Sequence, residues 1–309
     1  MSKVLVTGGA GFIGSNLARL LLDEGREVTV YDDLSSGYRR NVGALPRARF
    51  VEGDVRDAER LTEAMRGADT VFHLAASVGN KRSIEHPVED SEVNVIGTLR
   101  VLEAARSLGV RKVIFSSSAG IFGELKFLPI REDHPVEPDS PYGASKLAAE
   151  KMCLAYAKLY DLEAVALRYF NVYGVNQRYD AYGNVIPIFA HRMLRGEPVT
   201  VFGDGEQTRD FVNVRDVARA NLLASRAPGV SGAFNVASGT AITINRLVEL
   251  MGEAAGVRPA VEYGPPRKGD VRHSRADISA ACEAFGFKPS VELGDGLREY
   301  MTWCGADAA

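Results

Sequence analysis

Tyr142 and Lys146, in the run Ser140-Pro-Tyr-Gly-Ala-Ser-Lys146, are the residues whose types and spacing most suggest chemistry. Four residues apart on a helix, their side chains lie on one face. A phenol with an ordinary pKa near ~10 is a poor base at neutral pH, and a neighbouring ammonium stabilises the phenolate and lowers that value. A tyrosine tuned in this way takes a proton from an alcohol while a hydride leaves the same carbon. The spacing Y-x-x-x-K alone is common by chance. Two companions give it weight: a glycine-rich turn near the N-terminus, and the triplet Ser116-Ser117-Ser118 ending a strand-like run upstream.

The glycine-rich turn lies in Val4-Leu-Val-Thr-Gly-Gly-Ala-Gly-Phe-Ile-Gly14, which reads as strand, turn and helix start. Gly8 permits the tight turn, Gly11 lets backbone approach a pyrophosphate, and Gly14 allows close packing of helix on strand. The phosphates of a dinucleotide would sit at the helix N-terminus, where free N–H groups and the dipole favour anions. Asp32 ends the second strand-like run. A carboxylate there suits a ribose 2′-hydroxyl and repels a 2′-phosphate, which favours NAD over NADP. Arg39 and Arg40 lie near enough in sequence to keep NADP open, although solvated loop cations explain them as well.

These groups need a scaffold. Short β-branched runs at Val4–Thr7, Glu27–Tyr31, Arg49–Glu52, Thr70–His73, Lys112–Ser116 and Glu163–Arg168 alternate with helical stretches near 12–24, 57–66, 92–108 and 142–160. Such alternation predicts an α/β fold with a doubly wound parallel (Rossmann) sheet. Beyond Arg168 the pattern changes, with a helix expected at Pro187–Leu194 and two returns to the sheet, at Asp210–Val214 and Ala233–Val236. From about residue 241 short helices alternate with Pro/Gly-rich connections, as in a smaller α/β lobe capping the carboxyl edge of the sheet. The expected division is 1–170 plus returning segments at about 196–236 for the dinucleotide, with 171–195 and 237–309 forming the lobe. The 142–160 helix carries apolar residues on more than one face. It either packs on the sheet and on a second subunit or is buried throughout.

Composition narrows the partners. A net charge of −3 gives no reason to expect nucleic acid or an anionic membrane. No apolar run approaches the roughly 20 residues of a membrane span, and the N-terminal run enters a strand with no room for a signal peptide. Cys153, Cys282 and Cys304 are odd in number and far apart, so reduced thiols in a cytoplasmic protein are expected rather than a disulfide framework.

With these residues in view, the chain resembles the extended short-chain dehydrogenase/reductases, and among them the nucleotide-sugar 4-epimerases. The resemblance runs through Thr7-Gly-Gly-Ala-Gly-Phe-Ile-Gly14, Asp32-Asp-Leu-Ser-Ser-Gly37, Gly53-Asp-Val55, His73-Leu-Ala-Ala76 and Asn94-Val-Ile-Gly-Thr98. It continues through Ser116-Ser-Ser118, Tyr142-Gly-Ala-Ser-Lys146, Leu167-Arg-Tyr-Phe-Asn171, Val201-Phe-Gly-Asp-Gly205, Thr208-Arg-Asp-Phe211 and Arg267-Lys-Gly-Asp-Val-Arg-His-Ser274.

The resemblance implies Tyr142, Lys146 and Ser118 as catalytic residues. It implies an NAD site built from Gly8, Gly11, Phe12, Ile13, Gly14, Asp32, Asp33, Asp54, Val55, Leu74, Ala75, Ala76, Asn94, Ser116, Tyr142, Lys146 and Tyr169. A UDP-sugar would be held by Ser118, Asn171, Asn184, Val185, Val201, Phe202, Arg209, Arg267, Asp270 and Ser274, where arginines suit a diphosphate and an aromatic ring a uracil face. Arg178 and Arg215 serve equally well as surface charges, and His73 reads as a structural histidine at a strand end.

The implied activity is C4 epimerisation of a UDP-hexose through a transient 4-keto sugar. The alternatives are a UDP-glucuronate 4-epimerase and an NAD(P)H-dependent 4-keto-sugar reductase. Ala119 and Gly120 stand where related dehydratases and decarboxylases carry acids, and Phe122 stands where the family usually has tyrosine. Ser274 borders the sugar's C2 substituent in the family, and a small residue there resembles the branch that accepts an N-acetyl group. No metal is expected, and the implied assembly is a homodimer through the helices near 92–108 and 142–160.

Overall fold

The structure, a computed structural model, describes residues 2–177, 179, 184–266 and 271–308, the side chains of 307 and 308 excepted. Thirteen strands occur among them. The first six are β1 (Lys3–Thr7), β2 (Glu27–Asp32), β3 (Arg49–Glu52), β4 (Thr70–His73), β5 (Lys112–Ser118) and β6 (Glu163–Tyr169). Short strands β7 (Asn171–Tyr173), β8 (Val199–Phe202), β9 (Thr208–Arg209) and β10 (Phe211–Asn213) follow. β11 (Gly232–Val236), β12 (Ile242–Thr243) and β13 (Val261–Gly264) complete the set.

Seven strands form one parallel sheet in the order β11-β6-β5-β4-β1-β2-β3. Alternate side chains along each strand feed two cores. Val4, Val6, Phe72 and Ile114 face the helices Phe12–Asp23 and Val214–Arg226. Leu5, Val71, Val113 and Phe115 face those at Ala58–Met65, Gly97–Leu108 and Pro141–Leu159. Burial on both faces is what makes these strands nearly continuous apolar runs. After β3 the chain returns across β1 to form β4, and this reversal of order opens a crevice at the carboxyl ends of β1 and β4.

The expected strands are present within one or two residues, with two differences elsewhere. β11 takes the free edge of β6, so the run around Asp210–Val214 cannot join the sheet. It forms β10 instead, which pairs in parallel with β7 just beyond β6. The expected 92–108 helix is a helix at Pro87–Ser91, a π-helical turn at Glu92–Ile96 and a helix at Gly97–Leu108. The 141–159 helix is not buried throughout: Ala155 and Leu159 are exposed while Ala149 and Cys153 are buried.

A third core holds the smaller lobe together. Phe189, Met193, Val199, Leu247, Met251 and Leu297 pack between the helices Val185–Leu194, Ile244–Ala255 and Leu293–Ala308 and the β8–β13 pair. A minor cluster of Ile121, Phe122, Ile130, Phe170, Ala237 and Ala276 joins this lobe to the end of β5. Among the described residues no helix is long and apolar enough to cross a membrane.

Arg168 on β6 and Glu150 on the 141–159 helix form a buried ion pair with contacts of 2.7 and 3.1 Å. Ser117 donates to the same carboxylate at 2.7 Å, and Arg168 donates to the Glu132 carbonyl at 2.9 Å. One cluster thus ties the helix to two strands. Replacing Arg168 with Met leaves a buried carboxylate without its cation, at an expected cost of about 3–5 kcal/mol in urea unfolding. Arg168→Met combined with Glu150→Met should recover most of that loss; a single variant as stable as the parent would contradict the role given to the pair.

Candidate active site

The Pro141–Leu159 helix starts at Ser140, whose hydroxyl accepts from the Gly143 N–H at 3.1 Å, with Pro141 in the first turn. Gly143 lies against the end of β5: a Cβ at that position would stand 2.3 Å from the Gly120 carbonyl oxygen. Only a glycine allows this approach. It brings the partly buried Tyr142 alongside Ser118: a Cβ at Gly120 would meet the Ser118 hydroxyl at 3.3 Å and the Tyr142 ring at 3.7 Å. One turn on, the Lys146 ammonium donates to the Ser116 carbonyl at 2.7 Å and lies 4.8 Å from the centre of the Phe115 ring. The two motif residues and the serine triplet therefore form one site.

Electrostatics correct one expectation. Burial, with the negative charge of Asp90 behind it, pushes the Tyr142 hydroxyl up to about 12, while the nearby Ser118 hydroxyl pulls the other way. Burial brings the Lys146 ammonium down to about 8, opposed chiefly by the charge of Asp90. Lys146 is directed at a carbonyl and a ring face, so it does not by itself depress the phenol.

The glycine turn fits a dinucleotide. A Cβ on Gly14 would lie 2.1 Å from the Gly8 carbonyl oxygen, so the Phe12–Asp23 helix sits directly on the turn. No side chain caps that helix at Gly11, leaving its N-terminus for an anion. Phe12 and Ile13 anchor the first turn in the core. The buried Asp32 carboxylate accepts from the Ala10 and Leu34 N–H groups at 2.9 and 2.8 Å, which fixes it at the carboxyl end of β2 and leaves lone pairs for a ribose hydroxyl. Leu74–Ala76 continue β4 across from the turn. Arg39 pairs with Glu52 at 2.6 Å and Arg40 lies over the Tyr38 ring, as expected of surface cations.

Other expected cofactor residues are fixed by contacts within the protein. Asn94, on the π-helical turn, is 1% exposed; it accepts from the Ser77 N–H at 2.9 Å and donates to the Ser77 carbonyl and Ser145 hydroxyl, each at 3.0 Å. Asp54 is held by Arg56, Asp33 caps Ser35, and Val55 packs under Gly97. Tyr169 turns into the core with its hydroxyl on Asn221. His73 is buried between the Thr7 and Thr98 hydroxyls, 2.7 and 2.9 Å away, and burial holds it down to about 3, so it is a neutral structural residue.

In the lobe, Asn171 donates to the Asp210 carbonyl at 2.9 Å, and the Ser274 N–H donates to the Thr208 carbonyl at 3.2 Å. Arg209 donates to the Thr208 carbonyl, Asn184 begins the Val185–Leu194 helix, and Phe202 ends β8. Val201 is buried in the lobe core, with Val185 packed against that core. Arg267, Asp270 and Arg178 lie outside the described residues. Arg215 pairs with Glu299 at the surface. Phe122 is 1% exposed among Phe170, His134 and Arg168, so its ring faces the core.

Three residues not singled out from sequence complete the arrangement. Ser145 donates to the Asp90 carboxylate at 2.6 Å, beneath Tyr142 and Lys146. The buried Asp210 carboxylate accepts from the Ser238, Gly239 and Ala276 N–H groups and binds the lobe to β11. The signal for Ser145 and Asp90 was present: the first precedes Lys146, and the second lies four residues before Asn94.

Comparison with known proteins agrees with this geometry. The profile of the NAD dependent epimerase/dehydratase family matches residues 4–237. A UDP-glucose 4-epimerase of Mycolicibacterium smegmatis is 41% identical over 303 residues, covering 96% of each chain. The structure of a UDP-glucose 4-epimerase with UDP-glucose from Thermotoga maritima superposes with a TM-score of 0.94 at 40% identity, covering 99% of this chain and 100% of that one. A UDP-N-acetylglucosamine 4-epimerase from Methanobrevibacter ruminantium gives 0.95 at 37% identity, with 99% of each chain covered. The chain belongs to the NAD dependent epimerase/dehydratase family.

Proposed function

We propose that this protein interconverts the C4 epimers of a UDP-hexose, with UDP-glucose/UDP-galactose and UDP-GlcNAc/UDP-GalNAc as its substrates. The observation that carries the reading is the seating of Tyr142 alongside Ser118 with an anchored Lys146 one turn on, at the mouth of a turn shaped for a dinucleotide. Tyr142 takes the proton of the C4 hydroxyl, directly or through Ser118, and later returns one. Lys146 holds the nicotinamide ribose and supplies positive charge below the phenol. NAD, when bound, would supply the acceptor and donor for the C4 hydride, with no net consumption of cofactor. Between the two transfers the flat 4-keto sugar turns over within the site while the nucleotide stays anchored.

The wall beside the catalytic pair supports this outcome. A Cβ on Gly120 would meet the Ser118 hydroxyl at 3.3 Å and the Tyr142 ring at 3.7 Å, and neither Ala119 nor Gly120 brings an acid for elimination at other carbons. The nucleotide falls to Asn171, Phe202, Arg209 and the 267–274 segment. On this reading residues 1–170 with about 196–236 hold the cofactor, and 171–195 with 237–309 hold the substrate. The outward faces of the helices at Gly97–Leu108 and Pro141–Leu159, where Leu159 is 71% exposed, support a homodimer. No disulfide occurs among the described cysteines, in keeping with a cytoplasmic setting.

Tyr142→Phe should lower turnover of UDP-glucose by about 10³-fold or more, the scale of a lost general acid–base. NAD should still copurify, as its absorbance after acid release would reveal. Retained turnover would refute the assignment. Ser274→Tyr should depress kcat/KM for UDP-GlcNAc about tenfold more than for UDP-glucose, a discrimination of about 1.4 kcal/mol. Equal losses on the two sugars would remove Ser274 from sugar selection.

A further inference from the structure

One buried charge has no part in the proton transfer described so far. Asp90, on the Pro87–Ser91 helix, is 0% exposed. One carboxylate oxygen accepts from Ser145 at 2.6 Å, and the other has no hydrogen-bond partner. Ser145 also accepts from Asn94 and donates toward the Tyr142 carbonyl at 3.0 Å, so the carboxylate reaches the first turn of the 141–159 helix through one hydroxyl. No ion pair joins Asp90 to Lys146 among the described residues, although both are almost wholly removed from water. An unpaired buried carboxylate is costly and is kept only where its charge is used or compensated.

We propose that Asp90 is a positioning residue for the catalytic pair, its carboxylate holding Lys146 as an ammonium and, through Ser145, holding Tyr142 in place. The inference rests on the acid–base roles given to Tyr142 and Lys146 above. The other charged groups on the packed elements are engaged elsewhere or face outward. Arg82 pairs with Glu89 and Lys81 with Glu85, Glu92 meets Arg56, and Glu150 is held by Arg168. Lys151 is exposed, His86 lies at the outer start of the Asp90 helix, and His73 is neutral. Cys153, its thiol pushed up by burial, brings no charge.

The sign of the effect is specific. Asp90's negative charge raises both Tyr142 and Lys146, so its loss lowers both. Turnover increases as Tyr142 gives up its proton and declines as Lys146 gives up its own. Both limbs of the pH profile should therefore move the same way, toward acid.

The test is the pH profile of kcat/KM on UDP-glucose for the parent and Asp90→Asn, each with its bound NAD. The expected result is a displacement of both limbs by about one pH unit toward acid, with a modest loss of height. Asp90→Ser carries the same expectation should the Asn variant fail to fold. Ser145→Ala, which keeps the charge, should lower the maximum and leave the limbs in place. A lowered bell with unmoved limbs in the Asp90 variants overturns the inference, as does movement of the limbs in opposite directions. A parent enzyme that does not turn over UDP-glucose at all overturns instead the reading on which the inference rests.

Discussion

The contact between Gly143 and the Gly120 carbonyl decides where the chemistry can happen. A methyl group at position 143 would lie 2.3 Å from that oxygen and 2.8 Å from Pro138, so any side chain drives the helix off the end of β5. Seated as it is, the helix delivers Tyr142 to Ser118 and Lys146 to the Ser116 carbonyl in the same turn. The Arg168–Glu150–Ser117 cluster holds the helix a little further along. Buried ion pairs contribute little net stability because desolvation offsets their attraction. What this one provides is alignment, since a helix sliding on the sheet would break three hydrogen bonds at once.

Around that contact the site is dry, and dryness sets its acid–base character. Burial disfavours charge on both partners, raising the phenol and lowering the ammonium. At neutral pH the phenol rests protonated, while the ammonium keeps its charge by only a small margin. Turning the phenol into a base takes positive charge from nearby, and an oxidised nicotinamide is suited to supply it. Reactivity thus follows occupancy of the glycine crevice, which suits a cofactor that stays bound through the cycle. The neutral His73, clasped by Thr7 and Thr98, stiffens the floor of that crevice without adding charge.

Much of the fold was legible in the order of residues because the periodicities are strong. Val4 to Thr7, Thr70 to His73 and Lys112 to Ser116 are β-branched and apolar enough to predict buried parallel strands, and all three occur. The glycine turn was legible for the same reason, since each glycine answers a steric demand. What escaped depends on contacts far apart in sequence. Nothing in Asp210–Val214 says that Gly232–Val236 will already occupy the edge of β6. The π-helical turn at Glu92–Ile96 retains helical spacing and hides in a helix pattern. The charge state of Tyr142 depends on burial and on Asp90, which lies 52 residues away (142 minus 90). Spacing revealed which residues meet, but not how little water they share.

The central claim is that a hydride leaves C4 of the sugar and returns to the same carbon, with Tyr142 managing the proton. UDP-glucose carrying deuterium at C4 tests this directly when incubated with the purified protein and no added nucleotide cofactor. UDP-galactose that keeps its deuterium at C4 is the expected product, because the hydride never reaches solvent. Deuterium lost to water, or turnover that requires a nicotinamide supplied in proportion to product, would contradict the account.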